Sequence, residues 1–160
     1  MKRIEAIRDI MKFVEADDIV VASLGFISRD VYAVRDRDLN FYAVSAMGIS
    51  LSIAIGMAIN CQRDVLCITG DGDSLMGLNS FALHNSLRPQ NLWHIIIDNG
   101  EHASTGGQPT CSSAINFEKL APNTVVYKVD KGKGDSPRIP LTCEQIKERF
   151  VNAISNNISL

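Results

Sequence analysis

Two short apolar runs, Val65-Leu66-Cys67-Ile68-Thr69 and Trp93-His94-Ile95-Ile96-Ile97, each break off into glycine and oxygen-bearing side chains. The first leads into Gly70-Asp71-Gly72-Asp73 and the second into Asp98-Asn99-Gly100. Between Gly72 and Asn99 lie 26 residues, with a helical pattern over 74–87. Runs of this length, rich in β-branched residues and bounded by glycine, read as buried strands. A strand–helix–strand unit makes the two strands parallel and places both carboxyl ends on one edge of the sheet, where open α/β sheets bind their ligands.

The residue types on that edge indicate what it would hold. Gly70 and Gly72 let a ligand approach the backbone closely. A helix beginning near Ser74 would aim free N–H groups and a positive dipole end at the same place, which suits phosphate. Asp71 and Asn99 offer hard oxygens, and Mg²⁺ takes few of these from protein, filling its octahedron with water and phosphate oxygens. The expected site is therefore one for Mg²⁺ and a diphosphate.

The flanking chain repeats the strand–helix alternation. Residues 2–14 carry Ile4, Ile7, Ile10, Met11 and Val14 at helical spacing. A strand follows at Ile19-Val20-Val21-Ala22, then Ser23-Leu24-Gly25 and a short helix through Val34 with Ser28 as its cap. Phe41-Tyr42-Ala43-Val44 reads as the next strand, and Ser45-Ala46-Met47-Gly48 leads into a helix through Ile59. In the 74–87 helix, Leu75, Leu78, Ala82 and Leu83 mark the inner side, with His84 and Asn85 in solvent. His94 reads as a satisfied core histidine and His102 as a loop residue able to face a substrate. Cys111 to Leu120 is a loop with a short helix, Thr124 to Val129 a strand, and Lys131 to Arg138 a solvated basic loop. Thr142 caps a last helix whose buried side carries Ile146, Phe150 and Ile154. The pattern predicts one domain over 1–160, an α/β fold with a doubly wound, mainly parallel sheet and helices on both faces.

Composition excludes several function classes. Hydrophobic residues make up 46% of the 160 positions and charged ones 21%, enough apolar surface for a core. The net charge of -2 points neither to nucleic acid nor to an anionic membrane. No apolar run approaches the roughly 20 residues of a membrane span. Cys61, Cys67, Cys111 and Cys143 form no Cys-x-x-Cys pair, which argues against zinc and iron–sulfur sites. Cys67, inside an apolar strand, reads as a buried free thiol, and a reducing cytoplasm fits best.

Gly70-Asp71-Gly72, the following 26 residues and Asn99 together resemble the diphosphate-binding motif of thiamine diphosphate enzymes. With Asn99-Gly100-Glu101-His102 and Ser104-Thr105-Gly106-Gly107-Gln108-Pro109-Thr110, the chain is similar to the decarboxylases of that family that act on 3-phosphonopyruvate and 3-sulfopyruvate. The resemblance runs from about Ile19 to Phe150. It implies thiamine diphosphate and Mg²⁺ as cofactors, with Asp71, Asn99 and the backbone carbonyl of Glu101 as metal ligands. Gly25, Ser28, Gly70, Gly72, Asp73 and Ser74 would lie against the diphosphate. Met47 would sit under the thiazolium ring and bend the cofactor, bringing its 4′-amino group near C2. The Ser45 carbonyl would accept a hydrogen bond from that amino group, and Met47 and His102 are the expected catalytic positions. Asp73 departs from the pattern, since those decarboxylases usually carry a small residue there and a carboxylate beside diphosphate is repulsive unless it turns away.

What the resemblance implies for function is a carboxy-lyase subunit. It would release CO₂ and the aldehyde from a small anionic 2-oxo acid, 3-phosphonopyruvate or 3-sulfopyruvate. In the family, a Glu on a pyrimidine-binding domain activates the cofactor, and one domain of this length leaves no room for it. A partner subunit in a hetero-oligomer is therefore expected, with no activity from this chain alone. Gly-Asp-Gly-Asp with Thr-Gly-Gly-Gln also resembles the β chains of 2-oxoacid:ferredoxin oxidoreductases, against which the absent cluster cysteines stand. A non-catalytic cofactor-binding domain is the remaining alternative.

Overall fold

The computed structural model describes residues 1–156. Its frame is a five-stranded sheet in the order β2-β1-β3-β4-β7, with every pairing parallel. The strands are β1 (Ile19–Ala22), β2 (Asn40–Tyr42), β3 (Val65–Gly70), β4 (Leu92–Asp98) and β7 (Thr124–Lys128). A separate two-stranded ribbon joins β5 (Glu101–His102) to β6 (Gln108–Pro109). Helices α1 (Arg3–Met11), α2 (Phe26–Val34), α3 (Ser50–Ala58), α4 (Asp71–Met76), α5 (Leu78–Leu87) and α6 (Cys143–Asn156) complete the described chain. The expected doubly wound parallel α/β architecture is present.

Helices cover both faces of the sheet except at its β4–β7 side, where Trp93 and Val125 are exposed, so its strands are apolar at nearly every position, as parallel sheets require. Val20, Ala22, Leu66, Ile68, Ile95 and Ile97 pack under α1 and α2. The alternate residues Ile19, Val21, Val65, Cys67 and Ile96 pack under α3 and α5. Cys67 is buried as a free thiol, as its place in the run predicts. Helix α6 closes the β2 edge and contributes Ile146 to one core cluster and Phe150 to the other. It opens as expected: Thr142 Oγ1 accepts the Gln145 N–H while Gln145 Oε1 accepts the Thr142 N–H. Among the described residues no helix is long and apolar enough to cross a membrane.

The 74–87 region departs from expectation. The helix starts at Asp71, breaks at Gly77 and resumes at Leu78. The break rotates the second segment, so Ser80, Phe81 and His84 face inward while Ala82 and Leu83 are exposed. His84, expected in solvent, is fully buried, and neither of its ring nitrogens has a partner. Ser28 does not cap α2: Gly25 is the cap residue, and the Ser28 hydroxyl donates back to the Gly25 carbonyl at 3.1 Å. The Cys111–Leu120 stretch holds two short 3₁₀ turns.

His94 is only half satisfied. Its Nε2 lies 2.9 Å from Thr69 Oγ1, while its Nδ1 has no partner. Burial, and then the neighbouring His84, push its pKa down to about 3. The unfolded chain takes up this proton near 6.5 and the folded chain only near 3, so acid between those values favours unfolding. Urea midpoints should therefore fall as the pH drops below 6.5, and His94→Leu should flatten that slope. In the same core, Ile96→Ala at a fully buried position should cost about 2–5 kcal/mol in the same measurement.

Candidate functional site

Strands β1 and β3 are neighbours in the sheet, yet the chain leaves them towards opposite faces, into α2 and α4 respectively. The loops at their carboxyl ends therefore diverge and open a crevice, the place where doubly wound sheets bind ligands. A cleft of about 250 Å³ lies there. Gly25 stands on one wall with φ +77, and a Cβ at that position would come within 3.6 Å of Ser104 Oγ. Gly70, Asp71, Gly72, Asp73, Asn99 and Glu101 all line the same cleft. Sequence-distant residues from β3, α4 and the β4 end thus meet as the spacing predicts.

Asp71 begins α4 with its side chain almost wholly buried. Thr110 donates its hydroxyl to Asp71 Oδ2. Burial pushes the Asp71 carboxyl up and the nearby Asp98 adds to this, with the Thr110 hydrogen bond opposing both. A cation in the cleft would relieve that strain. Among the described residues no three His, Cys, Asp or Glu side chains converge on a metal position. The donor set here is different: one carboxylate, one amide and one main-chain carbonyl, from Asp71, Asn99 and Glu101. Few hard protein oxygens suit Mg²⁺ shared with phosphate and water, so the residues present fit the expected ion.

Asp98 organises the turn that carries Asn99. Its Oδ1 accepts the Gly100 N–H and the Ser112 hydroxyl, both at 2.9 Å, and its Oδ2 pairs with the Lys128 ammonium. Burial raises the Asp98 carboxyl, but Lys128 and Ser112 outweigh it and hold the group below its ordinary range. Asn99 Oδ1 in turn accepts the Glu101 N–H at 3.2 Å. The Glu101 side chain reaches outward, where its Oε1 accepts the Gly132 N–H at 2.6 Å and ties down the basic loop.

Met47 and His102 meet over Gly72. A Cβ on Gly72 would stand 2.7 Å from His102 Cε1 and 3.5 Å from Met47 Cε, so a side chain here would displace His102 from this approach. Asp73 turns away from the cleft centre: its Oδ1 accepts the Gly48 N–H at 2.8 Å. Burial raises the Asp73 carboxyl and this backbone bond partly offsets it. Ser74 points behind the cleft, with its hydroxyl 2.8 Å from Thr69 Oγ1. Ser28 spends its hydroxyl on Gly25 and does not line the cleft. Ser45, also outside the cleft lining, is one of four non-glycine residues held at positive φ among the described residues.

Several contributors were not visible as site residues in the sequence. Thr110 lies 39 positions from the carboxylate it serves, and Lys128 lies 30 from Asp98. No local pattern links such pairs. Arg3 is another: 9% exposed, it lines the cleft, donates Nε to Asp30 at 2.7 Å and lies 4.9 Å above the Phe26 ring. Asp98 alone had a local signal, the polar residue closing β4 just before Asn99.

Residues 27–134 match the family model described as thiamine pyrophosphate enzyme, C-terminal TPP binding domain. The sulfopyruvate decarboxylase subunit beta of Methanocaldococcus jannaschii is 35% identical over 154 residues, which are 96% of this chain and 78% of that one. The phosphonopyruvate decarboxylase of Streptomyces viridochromogenes is 41% identical over 119 residues, 74% of this chain but only 30% of that protein. A solved structure described as a thiamin diphosphate-dependent enzyme from Mycobacterium smegmatis superposes with a TM-score of 0.65 at 13% identity, over 84% of this chain and 32% of that one. At that identity the likeness concerns the fold.

The Asp98 network makes a direct prediction. Lys128→Met removes the cation that favours the ionised carboxylate, so the Asp98 pKa should rise. Carboxyl ¹³C titration by NMR would read this, and an unmoved value would contradict the pairing.

Proposed function

The chain belongs to the thiamine pyrophosphate enzymes, by the match to their C-terminal TPP-binding domain, and we propose that it is one subunit of a 2-oxo acid decarboxylase requiring Mg²⁺. It is homologous to decarboxylase β subunits. The proposed substrate is a pyruvate substituted at C3 with a tetrahedral oxyanion, 3-sulfopyruvate or 3-phosphonopyruvate, released as CO₂ and the aldehyde. The observation that carries this reading is the meeting of Asp71, Asn99, Glu101 and the close-approach glycines in one cleft at the β1/β3 switch.

In this reading residues 1–160 form one diphosphate-binding domain. Asp71, Asn99 and the Glu101 carbonyl hold Mg²⁺, and the backbone at Gly25, Gly70 and Gly72 admits the diphosphate. When bound, thiamine diphosphate supplies the carbon nucleophile and the electron sink that decarboxylation needs. Met47, 37% exposed on the cleft wall, supports the ring and sets its bend. His102 packs beside Met47, where it can face the carboxylate or the oxyanion of the substrate. The glutamate that activates the cofactor comes from a partner subunit. A relative named as a β subunit, matched over 96% of this chain, supports that arrangement. Asp73, the residue shared in pattern with ferredoxin-coupled enzymes, has a structural occupation here in its bond to Gly48.

Asp71→Ala, in the complex that co-purifies with the tagged chain, should abolish Mg²⁺-dependent thiamine diphosphate binding in calorimetry. Binding equal to that of the native complex would overturn the site.

A further inference from the structure

Helix α3 has no cap of its own. Its cap residue is Ile49, which offers no side-chain acceptor, and the preceding loop carries Met47 into the cleft. Helix N-termini need acceptors for their free N–H groups and favour negative charge nearby. Asp73 brings the charge from 25 residues away: its Oδ1 accepts the N–H of Gly48, in the loop before the cap residue, at 2.8 Å, and its carboxylate lies beside Ser50.

The backbone geometry makes this contact a clamp. Gly48 has φ +86, and a Cβ there would stand 2.9 Å from the Met76 carbonyl carbon. A Cβ on Gly77 would stand 2.5 Å from the Gly48 oxygen. The Met47 loop therefore lies directly on the α4–α5 junction, main chain against main chain. Asp73 ties both sides of that contact, since its own carbonyl accepts the Gly77 N–H at 3.0 Å. The same short helix begins with Asp71, so Met47 and Asp71 are held to one rigid element.

We propose that Asp73 is a positioning residue whose carboxylate fixes the height of Met47 in the cleft relative to Asp71. The inference rests on reading the cleft as a thiamine diphosphate site with Met47 under the ring. It also accounts for a carboxylate next to a diphosphate site: the group is engaged with the Gly48 amide and kept from the anion. Because the clamp sets the bend of the cofactor and not its anchoring, its loss separates activation from affinity.

The test uses the native complex, loaded with thiamine diphosphate and Mg²⁺. Deuterium exchange at the cofactor C2 reports activation, calorimetry reports affinity, and exchange of the Gly48 amide reports the clamp itself. Asp73→Ala should slow C2 exchange and speed Gly48 amide exchange by about tenfold each, the effect of losing one hydrogen bond, with cofactor affinity within about threefold. Asp73→Asn keeps an acceptor for the same N–H and should restore both rates to within about threefold. Should the alanine variant fold poorly, Asp73→Ser, too short to reach Gly48, takes its place. Unchanged C2 exchange, equal losses of affinity and exchange, or failure of asparagine to rescue would each overturn the clamp. Tighter cofactor binding in the alanine and asparagine variants alike would also overturn it, since it would mean the charge acts on the diphosphate. If the native complex binds no thiamine diphosphate, the functional reading fails, while Gly48 amide exchange still decides the contact.

Discussion

The structure depends on the reversal of strand order at β1. From β1 the chain steps outward to β2, then crosses back to place β3 on the other side. Parallel strands bury both faces, so each crossover must carry a helix, and the helices leaving β1 and β3 cover opposite faces. Two adjacent strand ends then lose their covering at the same point. Gly25 and Gly70 occupy those ends, and everything assigned to the site converges on the opening between them. The site is a consequence of topology before it is a consequence of any single side chain.

That opening concentrates negative charge. Asp71, Asp73 and Asp98 are all buried at one edge of the sheet, and burial alone would push each towards neutrality. The fold treats them separately. Asp98 has a lysine, a serine and a backbone N–H, and stays ionised. Asp73 has the backbone N–H of Gly48, in the loop before α3. Asp71 has the Thr110 hydroxyl and local backbone N–H groups, but burial and a like-charged neighbour outweigh them. Of the three, Asp71 is thus left to be compensated by a cation, as the proposed Mg²⁺ role requires. Met47 and His102, close together over Gly72, add an apolar and a polar contact to the same cleft.

What could be read in advance followed local rules. The alternation of short apolar runs with helical periods gave the class of fold, because parallel strands buried on both faces must be apolar throughout. The glycines and the oxygen side chains at strand ends located the edge and its donors. The 74–87 segment failed because one glycine, Gly77, ends one helix and starts another, and the turn of phase exchanged the buried and exposed faces. His84 and Leu83 changed places for that reason. Ser28 misled in a similar way: a serine near a helix start resembles a cap, but Gly25 with its positive φ already fills that place.

The amino-acid sequence by itself determined the strand ends, the spacing that brings Asp71 and Asn99 to one edge, and the family motif they compose. These depend on periodicity and on residue type within a few positions. Only the tertiary structure decided which groups support them: Thr110 on Asp71, Lys128 on Asp98, Asp73 on Gly48, and the Gly48–Gly77 contact beneath Met47. Such pairings join residues 25 to 39 positions apart through hydrogen bonds and backbone approach. No local pattern in the chain encodes them, because they exist only once the sheet has set which loops lie side by side.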